Sequence, residues 1–424
     1  MIEDAKQNAL LLPEGTRLLH IGPMKTGSTA LQNAARKKDA ELLEYGTYYP
    51  GENMNHRRPA FAFMGKKNPF EKKVPWEKAS QVPPMSQWEN LLDSVNSKPH
   101  ARALISHECI ASAADDKAVE FVKALGAGQT HIAIALRSTA DRLPSHYIQR
   151  LKGRHSEGFE RWLQRYHGGA DCAPPAAMQR YYDLSGLVER WAAAAGAENV
   201  MVIVTDKARK ELLTEAFEQM LGLPVGILAA ESDNGHLANR SMSLLEAEAI
   251  RRANETIRDQ GVSWPLYLDV IRRGAINRVL GQRTPGTNEP KLRLPRWAME
   301  RAIEADKLHA ARIAESGVRI VGDLEGLYSN PPPAAEDQPP VDETAIEIAA
   351  EMLHGAVMGA VKHNKKTTKR LHGKVEDLPQ EGKGLLKHEI RKKPRRERRR
   401  LAAKTFTTFD LASALGKRVF RQVR

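Results

Sequence analysis

Short apolar blocks alternate with amphipathic segments over the first 330 residues of the chain. Five blocks are typical of buried strands, because they are short, rich in aliphatic residues and bounded by turn-forming residues. They are RLLHI (17–21), ARALIS (101–106), THIAIAL (130–136), NVMVIVT (199–205) and the shorter GVRIVG (317–322). Apolar residues at helical spacing fill the intervals, as in STALQNAARKKDAELLEYG, DDKAVEFVKALG and ELLTEAFEQMLGL. This alternation predicts an α/β fold with a parallel sheet and helices on both of its faces.

The pattern changes in four regions. Residues 46–99 are rich in Pro, Gly and Asn and are predicted to be irregular, with short helices such as SQWENLLDSV. Residues 241–314 are mostly helical, and the segment PPPAAEDQPP indicates a linker. An amphipathic helix is expected over residues 342–361. The predicted organisation is an α/β domain over 1–330, a Pro-rich linker over 331–341, and a helix with a basic tail over 342–424.

The net charge of +13 belongs to this tail. Residues 362–424 contain 21 Lys and Arg against 6 Asp and Glu. The whole chain has 65 basic and 52 acidic residues, so the remainder contains 44 basic and 46 acidic residues and is nearly neutral. A block such as RKKPRRERRR cannot bury itself, so a partly disordered tail is expected. An anionic membrane surface is the favoured partner, because each basic residue near it contributes about 1 kcal/mol. Nucleic acid and a merely solvated tail are the alternatives.

Composition excludes several other classes. With 41% apolar and 28% charged residues, the chain has the make-up of an ordinary soluble protein. No run approaches the ~20 apolar residues of a membrane-spanning helix, and the apolar run at residues 9–12 is too short for a signal peptide. Cys109 and Cys172 make neither a disulfide framework nor a metal site. We expect a cytoplasmic protein that can associate peripherally with the inner membrane face through its tail.

The segment HIGPMKTGST (20–29) lies between the first strand and the first helix. Gly22 and Gly27 have the spacing of a phosphate-binding P-loop, but Lys25 precedes the second glycine, and Ser28 stands where a nucleoside triphosphatase has its lysine. A glycine-rich turn at a helix N-terminus binds anions through backbone N–H groups and the helix dipole. A plain turn with Ser28 as N-cap is the alternative, but it gives Lys25 no role. The loop favours a phosphate-type ligand and a P-loop type of fold.

Two enzyme classes share fragments of this loop. A β-lactamase needs an S-x-x-K motif ahead of SDN and KTG; the chain has no S-x-x-K, and its KTG comes first, so this class is excluded. A P-loop kinase needs an acidic residue at a strand end to help hold Mg²⁺. The third strand ends in Leu136–Arg137 and offers none, but Thr205–Asp206 ends the fourth. A small-molecule or carbohydrate kinase therefore remains the alternative.

The third strand carries a more specific pattern. In IALRSTADRLPSHYIQRLK, Arg137 follows the strand and Ser145 lies eight residues later on a helix. Together with PMKTGSTALQ, this segment resembles the two nucleotide-binding signatures of sulfotransferases that use 3′-phosphoadenosine 5′-phosphosulfate (PAPS). The resemblance covers roughly residues 15–325. It implies that Arg137 and Ser145 hold the 3′-phosphate. It also implies a loop that holds the 5′-phosphosulfate, formed by Lys25, Thr26, Gly27, Ser28 and Thr29.

The second strand is followed by Ser106, His107 and Glu108. In the family that the chain resembles, cytosolic members use a histidine in this region, and carbohydrate-modifying members carry a glutamate. The S-x-E pattern after this strand resembles the bacterial branch of the family, which implies Glu108 as the general base, with His107 as the alternative. His107 would then face the opposite side if the strand continues. A solvated carboxylate without a catalytic role is the plainer interpretation of Glu108.

The resemblance implies an enzyme that transfers a sulfuryl group from PAPS, in line, to a hydroxyl of a glycan or glycolipid. Lys25 would stabilise the leaving phosphate, and Glu108 would take the proton of the acceptor. A transferred sulfuryl group carries less charge than a phosphoryl group, so electrostatic positioning should suffice without a metal. The tail could hold the enzyme near a lipid-linked acceptor. A protein that only binds membranes or nucleic acid through its tail is the hypothesis from a different class.

Overall fold

The computed structural model describes residues 10–67, 81–167, 180, 182–205, 209, 211–229, 240–259, 262–287, 289–337, 348–349, 351–352, 355–356 and 358–363. Within these residues, six strands form one sheet. They are β1 Arg17–Gly22, β2 Thr47–Tyr48, β3 Arg102–Ser106, β4 Thr130–Leu136, β5 Val200–Val204 and β6 Arg319–Val321. The strand order is β2-β3-β1-β4-β5-β6, and every neighbouring pair is parallel. The predicted α/β fold with a parallel sheet is confirmed.

Helices connect the strands and extend beyond them. They are α1 Ser28–Lys37, α2 Asp39–Glu44, α3 Arg57–Phe63, α4 Ser86–Asn96, α5 Asp115–Leu125, α6 Thr139–Lys152, α7 Phe159–Tyr166, α8 Leu184–Ala195, α9 Leu212–Leu221, α10 Leu244–Asp259, α11 Trp264–Leu266, α12 Asn277–Gln282 and α13 Arg296–Glu315. A π-helix, Tyr267–Ile276, joins α11 to α12, and a 3₁₀ turn, Glu108–Ser112, follows β3. The sequence did not predict β2 or α3, which lie inside the segment expected to be irregular. It also did not distinguish the π-helix from an α-helix.

The chain forms two compact units. The first comprises Met1–Ser145, Trp162–Asp233 and Leu294–Ala334, and contains the sheet. Alternate residues of the strands enter separate clusters on its two faces: Leu19 packs with residues of α4, α5, α8 and α13, whereas Leu18 packs with residues of α1 and α9. Both faces of the strands are therefore buried, which explains why their sequences are continuously apolar instead of alternating.

The strand order places the end of β1 at a topological switch point. From β1 the chain builds β2 and β3 on one side, and then crosses to β4, β5 and β6 on the other. Open parallel sheets bind ligands in the crevice at the carboxyl end of the strands where the order reverses. The loop after β1 lies at this position, with the ends of β3 and β4 on either side.

The second unit comprises His146–Arg161, Asn234–Arg293 and Ala335–Arg424. It contains a buried charge network: the Glu246 carboxylate accepts hydrogen bonds from Arg240 at 2.6 and 2.7 Å and from Arg283 at 3.0 Å. Those residues of 348–363 that the structure describes are helical. They contact the segment 267–278 through Arg278–Glu351, at 2.9 Å, and His363–Asp269, at 2.8 Å. Part of the predicted amphipathic helix is thus packed within this unit, with Ile348, Ala356 and Ala360 buried.

The basic tail beyond residue 363 lies outside the described residues, and so do residues 338–341 of the predicted linker. Among the residues that are described, no helix combines the length and the apolar character needed to cross a bilayer.

Candidate functional site

The loop after β1 is built for close approach between backbones. Gly22 has φ +91°, and a Cβ there would lie 2.8 Å from the Cα of Glu108. Gly27 has φ +98°, and a Cβ there would lie 3.1 Å from the Cδ2 of Leu213. Both positions therefore favour glycine, for conformation and for space. A hydrogen bond within the loop also holds its conformation, because the Thr26 hydroxyl donates to the carbonyl of Pro23 at 2.9 Å.

The N-terminus of α1 is open to an anion. Gly27 is the N-cap, and no side chain caps the helix or places an acidic group in its first turn. Ser28 is only 3% exposed, and its hydroxyl has no hydrogen-bond partner. Buried polar groups are nearly always paired, so an unpartnered hydroxyl at a helix N-terminus without a side-chain cap is suited to bind an anion. Thr29, the next residue, is exposed.

Lys25 adds a positive charge to the loop. Its backbone is in the left-handed region, with φ +74°, which is uncommon for a residue with a side chain. The side chain is exposed over much of its surface. Burial of the remainder lowers the pKa of its ammonium group, and the negative charge of Glu108 opposes this shift. The loop therefore presents a movable cation next to the carboxylate that follows β3.

Arg137 follows β4, next to the loop strand. The carbonyl of Leu136 is fixed by Thr205, whose backbone N–H and hydroxyl donate to it at 2.8 and 2.9 Å. The Arg137 guanidinium is about one-third exposed, with its Nη2 at 3.5 Å from Asp141 Oδ2. Its Nε is buried and has no hydrogen-bond partner. The guanidinium thus has a weak ion pair and a free donor, as expected of a group that binds a second anion.

Ser145 lies on α6, eight residues after Arg137, and is half-buried. The topology brings the loop and Arg137 together, because β1 and β4 are adjacent and parallel. It brings Glu108 to the same edge, because β3 pairs with β1 on the other side. Ser145 lies on α6, the helix that begins two residues after Arg137. The assigned roles of these residues stay predictions.

The two residues after β3 form a charged pair. His107 Nδ1 lies 3.2 Å from Glu108 Oε2; His107 is buried, and the Glu108 side chain is 15% exposed. The two groups thus lie together, not on opposite sides of a continuing strand, because the 3₁₀ turn begins at Glu108. A face of His107 contacts the ring of Phe61, at 5.8 Å between centroids.

The pair is ionised at neutral pH. Burial lowers the pKa of His107, but electrostatic interactions and hydrogen bonds with Cys109 and Glu108 outweigh it and raise the pKa to about 9. Burial raises the pKa of Glu108, but hydrogen bonding and the charge of His107 outweigh it and lower the pKa to about 2. These shifts favour an imidazolium beside a carboxylate.

A buried polar network supports the loop, and the sequence alone did not reveal it. The Ser106 hydroxyl lies 2.8 Å from His20 Nδ1 and accepts from Gln32 Nε2 at 3.0 Å. The Ser106 backbone N–H donates to His56 Nδ1 at 2.9 Å. Burial lowers the pKa of both histidines to about 4. The available signal was a histidine within an otherwise apolar strand, in RLLHI.

Two polar residues of the second unit have hydrogen-bond partners within that unit. Tyr147 is buried, and its hydroxyl donates to the Glu157 carbonyl at 2.6 Å. Arg240 is bound to Glu246 in the second unit. Asp206, on which the kinase alternative depends, lies outside the described residues. Among the residues that the structure does describe, no group of three His, Cys, Asp or Glu side chains is arranged to hold a metal ion.

Comparisons with known proteins give one structural likeness. No family model matches the chain, and no curated protein matches it. Among solved structures, a sulfotransferase from Alicyclobacillus acidocaldarius is similar, with 15% sequence identity over 72% of this chain and 96% of that one. The TM-score is 0.37, which is too low for the likeness to bear on the function of this chain.

Proposed function

We propose that this chain is a PAPS-dependent sulfotransferase that transfers a sulfuryl group to a hydroxyl acceptor. The observation that carries the proposal is the buried, unpartnered hydroxyl of Ser28 at the uncapped N-terminus of α1. An anion at this position would satisfy both the hydroxyl and the free N–H groups of the helix. Lys25 lies in the same loop, and Arg137 ends the adjacent strand.

The two cationic positions suit the two anionic ends of the donor. The loop takes the phosphosulfate, whose charge changes during the reaction. Arg137 takes the inert 3′-phosphate, which a planar guanidinium with a free Nε can bind in a fixed orientation. The motif match assigns Ser145 to the same phosphate. This division also explains why Lys25 lies inside the loop. The oxygen that bridges phosphate and sulfur, on which negative charge develops, would bind there.

The residues can carry out an in-line displacement. The acceptor oxygen forms a bond to sulfur while the bond between sulfur and the bridging oxygen breaks, and the leaving phosphate keeps that electron pair. Lys25 stabilises the charge that develops on the leaving oxygen, and Ser28 and Thr29 donate to the sulfuryl oxygens. The acceptor proton passes to the Glu108 carboxylate. Its low pKa is sufficient, because the acceptor oxygen becomes strongly acidic once sulfur has bonded to it.

His107 holds Glu108 in place for this step instead of acting as the base. The imidazolium already carries its proton at neutral pH, since its pKa is raised to about 9. Its Nδ1 lies 3.2 Å from one carboxylate oxygen, Oε2. The other oxygen, Oε1, can then accept the proton of the acceptor hydroxyl.

A glycan or glycolipid is the proposed acceptor class, in the cytoplasm or at the inner membrane face. The basic tail would hold the catalytic unit near a lipid-linked acceptor, since clustered Lys and Arg bind anionic lipid surfaces.

Turnover tests the proposal. The protein is incubated with PAPS and a panel of glycosides and glycolipid vesicles, and the release of 3′,5′-bisphosphoadenosine is measured. We expect acceptor-dependent release, with Lys25→Ala slowed far more than a variant of the exposed lysine at the other end of α1, Lys37→Ala. Release of ADP from ATP·Mg²⁺ with the same acceptors would contradict the proposal and favour a kinase.

A further inference from the structure

Asp306 is a buried carboxylate that the proposed reaction does not use. It lies on α13, is 0% exposed, and accepts two hydrogen bonds from one residue at the start of α6. The backbone N–H of Thr139 donates to its Oδ2 at 2.7 Å, and the Thr139 hydroxyl donates to its Oδ1 at 2.6 Å. Both oxygens of the carboxylate are thus bound to Thr139, which is 167 residues away in sequence.

These two bonds fix one side of the segment that contains Arg137. On the other side, the carbonyl of Leu136 is held by the N–H and hydroxyl of Thr205, at 2.8 and 2.9 Å. The backbone of Arg137 therefore lies between two anchored neighbours, each held by an element distant in sequence. Rigid support of this kind determines how accurately a binding side chain is placed.

The carboxylate also occupies the N-terminus of α6. An anion is favourable there, because the first N–H groups of a helix carry partial positive charge. Asp306 satisfies one of these groups permanently, so a ligand phosphate does not compete for it. The group of this segment that can bind a ligand is the Arg137 guanidinium, because its Nε has no hydrogen-bond partner.

Stability alone is a poor explanation for a carboxylate in this place. Full burial disfavours its charge and raises its pKa, against the bonds from Thr139 and the charge of Arg142 on α6. Burial and the Asp306 charge also raise the pKa of the Tyr166 phenol, on α7, against the charge of Arg142. Buried charges retained at such a cost often serve placement rather than stability.

We propose that Asp306 is a positioning residue that, through Thr139, holds Arg137 in place for the 3′-phosphate of the donor. The inference rests on the proposed function, and it adds a residue that no motif identifies. Asp306 itself touches no ligand. Its effect should therefore appear only for ligands that carry a 3′-phosphate.

The test compares two ligands in each variant. Affinities for 3′,5′-bisphosphoadenosine and for adenosine 5′-phosphate are measured by calorimetry, and their ratio reports the 3′-phosphate contact alone. We expect Asp306→Ala to lower this ratio on the order of tenfold, as for the loss of a hydrogen bond to a charged group. Thr139→Ser, which keeps both donors, should keep the ratio of the natural protein.

A second variant and a control keep the outcome decisive. If Asp306→Ala does not fold, Thr139→Val, which removes only the hydroxyl, should lower the ratio in the same direction. The control is Asp183→Ala, because Asp183 caps α8 in a similar way, accepting from Gly186 N at 2.8 Å. A ratio unchanged in the folded variants, or lowered equally by Asp183→Ala, would overturn the inference. A natural protein without preference for the bisphosphate would instead contradict the proposed function.

Discussion

His107 Nδ1 lies 3.2 Å from Glu108 Oε2, and both groups are charged at neutral pH. The sequence offered these two neighbours as alternative bases. The structure places them in one pair, and the directions of their pKa shifts favour an imidazolium beside a carboxylate. We therefore propose Glu108 as the base and a supporting role for His107.

Substitution of Glu108 should strongly slow sulfuryl transfer and leave donor binding intact. We expect Glu108→Gln to lower turnover by about 10²-fold or more, because the amide cannot take the acceptor proton. The affinity for 3′,5′-bisphosphoadenosine should stay near its normal value, and His107→Gln should keep measurable transfer. Steady-state rates and binding are measured on the same preparations. An active Glu108→Gln beside an inactive His107→Gln would mean that His107 is the base.

The same pair should make stability depend on pH. The pKa of His107 is raised from 6.5 to about 9, so its contribution is full below pH 6.5 and is lost as the pH rises through 9. The pKa of Glu108 is lowered from 4.5 to about 2, so its contribution is full above pH 4.5 and is lost as the pH falls through 2. Both contributions are present between pH 4.5 and 6.5.

We therefore expect the free energy of unfolding to fall by on the order of 2 kcal/mol between pH 6.5 and 9, and this fall to be smaller in His107→Gln. Urea unfolding at a series of pH values measures it. The exposed His100 provides the matched control, His100→Gln, which should follow the natural protein. Identical profiles for His107→Gln and the natural protein would show that the pair is not ionised as described.

Removal of Arg137 should weaken only one class of ligand. Arg137→Ala should cost about 2 kcal/mol of binding free energy for 3′,5′-bisphosphoadenosine, as for other lost charge-assisted hydrogen bonds. It should have little effect on adenosine 5′-phosphosulfate, which lacks the 3′-phosphate. Arg312→Ala, which removes an exposed pair with Glu189, is the control. Equal losses for both nucleotides would assign Arg137 a structural role.

The basic tail should bind anionic lipid independently of the catalytic unit. Helical residues within 348–363 pack in the second unit, so a truncation after His363 removes the tail and keeps these contacts. We expect the full chain to sediment with vesicles that contain phosphatidylserine, and the truncated chain to stay in solution. Neutral vesicles and duplex DNA are the comparison ligands. Equal sedimentation of the two chains, or preference for DNA, would contradict membrane binding.

The sheet was predictable from the sequence because parallel strands buried on both faces form short, continuous aliphatic runs. The blocks at 130–136 and 199–205 correspond to Thr130–Leu136 and Val200–Val204. β2 has two residues, Thr47–Tyr48, and too short a pattern to recognise. The π-helix Tyr267–Ile276 was predicted only as helix, because apolar periodicity does not separate helix types over so few turns.

The candidate site was predictable where it depends on the local chain. Glycine spacing and the position after a strand indicated the loop and Arg137. The supporting contacts were not predictable, because they join residues far apart: Asp306 to Thr139 and Ser106 to His20. Such pairs have no local pattern, and only the fold brings them together.

Nucleotide titration tests the central claim most directly. The full chain is titrated with 3′,5′-bisphosphoadenosine in the presence of EDTA, and separately with ATP and excess Mg²⁺, in the natural protein and in Ser28→Ala. The account predicts tight binding of the bisphosphate without metal, weaker binding of ATP·Mg²⁺, and a loss of about 1 kcal/mol for the bisphosphate in Ser28→Ala. Metal-dependent binding that favours ATP would contradict it.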